Sequence, residues 1–243
     1  MQVAGARVFV AGGAHRVGRA LVLGLAERGA RVCFSYHRSA AAAEATLAEL
    51  RRGVPEARAF RADAGKVEQI QAAVRAAAEA LGGLDVLVYA VSGGFRGVPP
   101  EQLDEATFDE AVDTTLKGGF FCGQAAYRAL GERGGVIVYL TDVAGLEPWP
   151  LFAAHGAAKA GLIHLVKTLA RAWAPRVRVV GVAPGPVLMP AWTGPESHRR
   201  SAEETVLGRL GSPEDVVSAV AFLIEADYVT GSQIVVDGGK LVR

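Results

Sequence analysis

Short runs of β-branched and apolar residues alternate with longer stretches of helical spacing along almost the whole chain, and few architectures accept that alternation. The apolar runs are Arg7 to Val10, Arg31 to Tyr36, Ala57 to Arg61, Val86 to Tyr89, Val136 to Leu140, Val177 to Val182 and Gln233 to Val236. They are long enough for strands and too short for helices. Between them lie Arg16 to Arg28, Ala40 to Arg52, Lys66 to Leu81, Asp104 to Arg133, Ala153 to Trp173 and Pro213 to Glu225, each able to cover a sheet face. Strands that alternate with helices build βαβ units, whose crossovers make the strands parallel. The expected class is therefore α/β, with a doubly wound parallel seven-stranded sheet flanked by helices on both faces. Ser212-Pro213-Glu214 reads as an N-cap followed by proline at the first helical position.

No Ser/Gly linker, repeat or break in composition divides the 243 residues, so residues 1–243 are expected to form one domain. Apolar residues make up 51% of the chain and the formal net charge is +1. That balance offers neither a polyanion-binding surface nor a disordered acidic tail, and nucleic acid is not an expected partner. No apolar run reaches the ~18 residues of a membrane span, and the N-terminus enters a glycine turn at Gly12 without a signal-peptide pattern. A cytoplasmic protein with no membrane partner is expected. Cys33 and Cys122 sit in unrelated apolar segments and read as buried free thiols, so no metal site is expected.

The first strand runs through AGGAHRVG into an amphipathic helix, which puts Gly12, Gly13 and Gly18 at a strand-to-helix turn. Glycines there let backbone amides approach a pyrophosphate, and the helix N-terminus adds unpaired N–H groups and a positive dipole end. A tight turn that needs positive φ would use the same residues without a ligand. About twenty residues beyond such a turn, NAD-binding chains place a carboxylate for the ribose 2′-hydroxyl, whereas a 2′-phosphate calls for cations. Here stand His37, Arg38 and Ser39, with Arg16 arriving from the turn and no acid beside them. Paired guanidiniums suit a phosphate, so NADP(H) is the expected cofactor. The competing reading is a pair of solvated surface arginines.

The turn resembles the TGxxxGxG of the short-chain dehydrogenase/reductase superfamily, with Gly12 and Gly18 in place, Ala11 for the threonine and Arg16 for the middle glycine. Arginine at that place is familiar in the pteridine reductase branch. The resemblance extends through YHRS, RADA, GRLGSPEDVVSAVAFL and VTGSQIVVDGG, nearly the whole length. It implies a Rossmann-type fold and contacts to the cofactor from Val17 of the turn and Ala90 after the fourth strand. It also implies that Asp63 bonds the adenine amine, and that Pro184, Gly185 and Val187 of APGPVL lie along the nicotinamide, Val187 through its backbone. Homotetramers are common in this superfamily, through helices matching Asp104 to Arg133 and Ala153 to Trp173, so a homo-oligomer is expected by resemblance.

The resemblance breaks at the chemistry. The superfamily carries a serine, Tyr-x-x-x-Lys and an upstream asparagine; this chain reads FAAHGAAKAGL, with His155 in place of the tyrosine and Lys159 retained for the ribose. Asp142 of LTDVAG holds the serine position, as in pteridine reductases, and Thr115 holds the asparagine position. Tyr89, Ala90 and Val180 likewise stand where asparagines are usual. The chain contains no asparagine at all, so those losses follow composition, but it keeps five tyrosines, so His155 does not. His155 and Lys159, spaced i and i+4, share a helix face. If Asp142 pairs with His155, the imidazolium is a general acid for carbonyl or pterin C=N reduction by NADPH. The competing readings are a catalytically impaired member that binds NADP(H) in a structural or sensing role, and an assembly protein.

On the substrate side, MPAWTGPESHRRSAEET from Met189 to Thr205 reads as a polar loop, with Trp192, His198, Arg199 and Arg200 as candidate substrate contacts and solvation as the simpler account of its charges. Phe95 lies one residue out of register with the ring-stacking phenylalanine of pteridine reductases. Met189 replaces a threonine that commonly bonds the cofactor.

Overall fold

The computed structural model describes residues 1–189 and 193–243. Its strands are β1 (Arg7–Ala11), β2 (Arg31–Tyr36), β3 (Ala59–Arg61), β4 (Val86–Tyr89), β5 (Gly135–Leu140), β6 (Val177–Pro184) and β7 (Gln233–Val236). They form one sheet of order β3-β2-β1-β4-β5-β6-β7, every pair parallel. The chain starts in the middle, winds out to β3 and returns to β4 on the other side of β1. This reversal opens a crevice at the carboxyl ends of β1 and β4, the place where open α/β sheets receive ligands.

Alternation along the strands explains the layers. Val8 and Val10 face one core with Val32, Phe34, Val86 and Val88, under α1 (Arg16–Glu27), α2 (Ala40–Leu50) and α8 (Pro213–Glu225). Phe9 and Ala11 face the other with Cys33, Leu87 and Tyr89, under α3 (Val67–Leu81), α5 (Gly118–Leu130) and α6 (Ala153–Trp173). Both faces are covered, as an all-parallel sheet requires. Gly24 lets α1 meet α8 closely, since a Cβ there would lie 2.7 Å from Val217 Cγ1. The expected cap on α8 forms: Ser212 Oγ accepts from Asp215 N at 3.3 Å while Asp215 Oδ2 accepts from Ser212 N at 2.7 Å.

Three expectations need correction. The third strand starts at Ala59 rather than Ala57, because Ala57 is held in a turn: its amide donates to Val54 O and its carbonyl accepts from Arg51 Nε. The stretch from Asp104 to Arg133 is not one α-helix; α4 (Glu105–Ala111) passes through a π-helical turn (Val112–Lys117) into α5, and a 3-10 turn (Gly131–Arg133) ends it. The polar segment after β6 is not all loop: Pro195–Glu203 form α7, with Pro195 in the first turn and Arg199 bonded to Glu196 at 2.7 Å. Trp192 lies outside the described residues.

Candidate active site

The crevice is a cleft of about 1080 Å³ that runs from the end of β2, past the glycine turn and the ends of β4 and β5, to α7. Its floor at one end is the turn itself. Gly12 has φ of 84°, and a Cβ on Gly18 would lie 2.0 Å from the Gly12 carbonyl oxygen, so the helix packs onto the turn only without a side chain there. His15, the N-cap of α1, offers no side-chain acceptor, and the first turn carries no acid. Nothing in that cap competes with an anion for the helix amides. Arg16 has φ of 53°, the one positive value at a non-glycine among the described residues, which is where the superfamily pattern has glycine.

His37, Arg38 and Ser39 line the same end with His15, Asp63 and Lys66. Asp63 is already engaged: Oδ1 accepts from Gly65 N at 2.9 Å, and Oδ2 lies 3.7 Å from His37 Nε2. The structure parts from the sequence reading at Arg16, whose guanidinium crosses the cleft to donate to the carbonyl of Leu188. A dinucleotide fits this end: the glycine floor, the open helix terminus and the cation of Arg38 are complementary to its phosphates.

At the other end α6 brings His155 and Lys159 against the end of β5. His155 is 2% exposed and both ring nitrogens have partners: Nε2 is 3.4 Å from Asp142 Oδ2, and Nδ1 is 3.4 Å from Ser92 Oγ. Phe95 meets the imidazole edge-on at 4.9 Å between centroids and stacks on Phe152 at 4.6 Å. Asp142 Oδ1 accepts from Ala144 N at 2.9 Å, which caps a 3-10 turn and aims Oδ2 at the histidine. Burial pushes the Asp142 carboxyl up, but the His155 hydrogen bond, the charges of Lys159 and His155 and the Ala144 amide outweigh it and leave its pKa below the usual value. Lys159 is 3% exposed and donates to Leu140 O at 2.7 Å. Burial draws its pKa down to about 8, with the charge of Asp142 opposing.

Thr115 is buried in the π-helical turn, where Oγ1 accepts from Gly93 N at 3.2 Å. The hydroxyl of Tyr89, on β4 below, donates to Thr114 O in the same turn. Thr115 thus holds the loop after β4 and does not touch His155 or Lys159 among the described contacts. Val17, Ala90, Pro184, Gly185 and Val187 line the cleft. On the substrate side, His198 bonds Thr193 Oγ1 at 2.9 Å and Arg199 bonds Glu196, so these two serve α7. Arg200, 70% exposed, reaches Glu196 at 4.0 Å.

Several lining residues escaped the sequence reading. Lys240 bonds Glu147 at 3.2 Å and Glu204 at 3.1 Å, and Glu147 accepts from Trp149 Nε1 at 2.7 Å. These join the segment after β7, the segment after β5 and the end of α7 around an aromatic wall of Trp149, Phe152 and Phe95. Ser92 was visible only as part of the altered YAVSGG turn. A buried histidine with a carboxylate on one nitrogen needs a polar partner for the other, and that requirement was the available signal. Among the described residues, no cluster of His, Cys, Asp or Glu could hold a metal ion, and no helix is long and apolar enough to cross a membrane.

Residues 12–240 match a family model described as enoyl-(acyl carrier protein) reductase. The 3-oxoacyl-[acyl-carrier-protein] reductase FabG of Staphylococcus aureus is 34% identical over 237 residues, 95% of this chain and 96% of that one. A short-chain dehydrogenase from Burkholderia cenocepacia, solved in complex with NADP, superposes with a TM-score of 0.91 at 31% identity and covers 100% of both chains. FolM alternative dihydrofolate reductase 1 from Brucella canis, also complexed with NADP, gives 0.90 at 29% identity, over 100% of this chain and 97% of that one. With that coverage, and with a glycine-floored crevice at the switch point of the sheet, the chain belongs to the short-chain dehydrogenase/reductase superfamily of oxidoreductases.

Proposed function

We propose that this protein is a cytoplasmic, homotetrameric NADPH-dependent reductase of a small carbonyl or pterin-like substrate, close to the pteridine reductases, in which His155 replaces the usual tyrosine as the acid. The observation that carries the reading is the Asp142–His155 pair at 3.4 Å on the cleft wall. The Asp142 carboxylate orients the imidazole, and Phe95, itself stacked on Phe152, packs edge-on against the ring.

The preference for NADP(H) rests on Arg38, with His37 and Ser39 beside it, at the end of the cleft that would receive a 2′-phosphate; Arg16 would join it on leaving the Leu188 carbonyl. Gly12, Val17 and Gly18 would hold the pyrophosphate, Asp63 the adenine, and Ala90, Pro184, Gly185 and Val187 the nicotinamide side. When bound, the dinucleotide supplies a hydride. The chain's own residues do the rest: Lys159 holds a ribose hydroxyl, Asp142 fixes the imidazole, and His155 is the source of the proton that reaches the substrate oxygen or nitrogen. Thr115 contributes by holding the Gly93 amide. The aromatic wall of Trp149, Phe152 and Phe95 favours a planar or apolar substrate. Structures of related chains with bound NADP support the cofactor class.

The test is titration with NADPH and NADH, then NADPH oxidation with dihydrobiopterin and a panel of small carbonyls, for the wild type and His155→Phe. We expect tighter NADPH than NADH binding, and a 10²- to 10⁴-fold loss of turnover in the variant, roughly the worth of a general acid, at unchanged NADPH affinity. Equal turnover in the two proteins removes His155 from the mechanism; NADPH binding without turnover by either favours the structural or sensing role.

A further inference from the structure

We infer that Ser92 is the group that hands the proton to substrate, with His155 recharging it from behind. This deepens the reading above and rests on it. His155 is nearly enclosed and has no free nitrogen: Asp142 takes Nε2 and Ser92 takes Nδ1. A proton on Nδ1 therefore points at the Ser92 oxygen rather than at open space. Ser92 is exposed, and it lines the cleft beside Phe95 and Val91, past the carboxyl end of β4. The arrangement Asp142, His155, Ser92 is a carboxylate, an imidazole and a hydroxyl in line, with the hydroxyl outermost.

The loop is built to hold that hydroxyl in place. Gly93, the next residue, donates its amide to Thr115 Oγ1 at 3.2 Å, and a Cβ on Gly93 would lie 2.7 Å from Glu110 O. A Cβ on Gly94 would lie 2.6 Å from that of Ala111. The two glycines thus press the segment onto α4 and the π-helical turn, and Tyr89 anchors that turn from below through Thr114 O. Both 3.4 Å separations are long for hydrogen bonds, as catalytic contacts often are before substrate arrives.

The step balances. The substrate carbon receives the hydride of the reduced dinucleotide while the Ser92 O–H bond breaks and its proton forms the new O–H or N–H bond of the product. The Nδ1–H bond of imidazolium breaks in turn and re-forms the Ser92 hydroxyl. His155 is left neutral, with its remaining proton on Nε2 toward Asp142. Cleft water restores the lost proton through Ser92 before the next turnover.

The experiment compares wild type with Ser92→Ala, Ser92→Thr and His155→Phe, measuring NADPH affinity, kcat and KM, and recording two-bond 1H–15N NMR spectra of the histidine rings. We expect Ser92→Ala to lose kcat about 10²-fold or more with NADPH affinity retained, and Ser92→Thr, which keeps a hydroxyl, to recover most of it. The His155 Nδ1 resonance should move in Ser92→Ala and stay close to its wild-type position in Ser92→Thr. A Ser92→Ala enzyme within threefold of wild type, while His155→Phe is inactive, overturns the relay and leaves His155 as the direct donor. An Nδ1 resonance that is unmoved in Ser92→Ala overturns it too, and that readout needs no turnover. Loss of the wider reading shows separately, as a wild type that does not oxidise NADPH.

Discussion

Replacing Lys159 with methionine removes a charge that the fold holds at a disadvantage. Burial lowers its pKa from 10.5 to about 8 in the folded protein, against the opposing charge of Asp142, while the unfolded chain keeps the ordinary value. Below pH 8 the ammonium is charged in both states and the folded state carries the full desolvation cost. Between 8 and 10.5 the folded protein has lost the proton and the unfolded chain has not, so stability rises with pH across that window. At about 1.36 kcal/mol per pH unit, the gap amounts to about 3 kcal/mol. Methionine has no such titration. Urea unfolding of both proteins without added dinucleotide, at a series of pH values, should give a wild-type-minus-variant difference that is flat below the window and climbs by about 3 kcal/mol through it. Losing the bond to Leu140 O adds an offset that does not vary with pH, and titration of the other lysines cancels. A difference that stays constant across the window refutes the assignment of a buried, disfavoured ammonium.

Other outcomes follow from the same geometry. Arg38→Ala should weaken NADPH binding by about 10- to 100-fold, roughly the worth of a charge-assisted bond to phosphate, and leave NADH nearly unchanged by fluorescence titration. Gly18→Ala should lower stability by about 2 kcal/mol and impair binding of either dinucleotide, because its Cβ would strike the Gly12 carbonyl at 2.0 Å; an unchanged urea midpoint counts against that packing. Asp85→Ala should destabilise the junction of β1 and β4, where Arg7 Nε donates to Asp85 Oδ2 at 2.7 Å and Arg7 N at 2.9 Å. Burial raises the Asp85 pKa, but its bonds to Arg7 and the charges of Arg7 and Arg133 lower it further, so the net value is depressed. That contribution is present above the ordinary carboxylate pKa and disappears as pH falls through the folded value, so acid unfolding curves of wild type and variant should converge there.

Most of the sheet was legible because both of its faces are buried. A strand such as VFVA has to be apolar at every position, and such runs stand out between amphipathic helices. The crevice was legible for a similar reason, since the glycines at 12 and 18 are demanded by backbone packing rather than by a side-chain choice. Sequence reasoning failed where a residue has two admissible partners. Arg16 fits a phosphate by charge, but only coordinates reveal that its guanidinium reaches a carbonyl 172 residues away. Lys240 gave no sign in sequence of the two glutamates that meet it, because neither lies near it along the chain. In α7, charge concealed the helix: PESHRRSAE buries none of its residues, so it lacks the apolar stripe by which the other helices were found.

The π-helical turn between α4 and α5 works as a phase shifter. In an α-helix each residue advances the side-chain direction by about 100°, so a turn that absorbs one extra residue rotates everything beyond it by that angle. Upstream of the turn α4 packs against α6, and downstream α5 packs chiefly against α3. One continuous helix of this sequence could not present both faces in their present directions. Deleting a single residue between Val112 and Lys117 would let the turn close to α geometry, and the apolar stripe of α5 would swing away from α3. The local backbone would become more regular while the protein around it lost its fit.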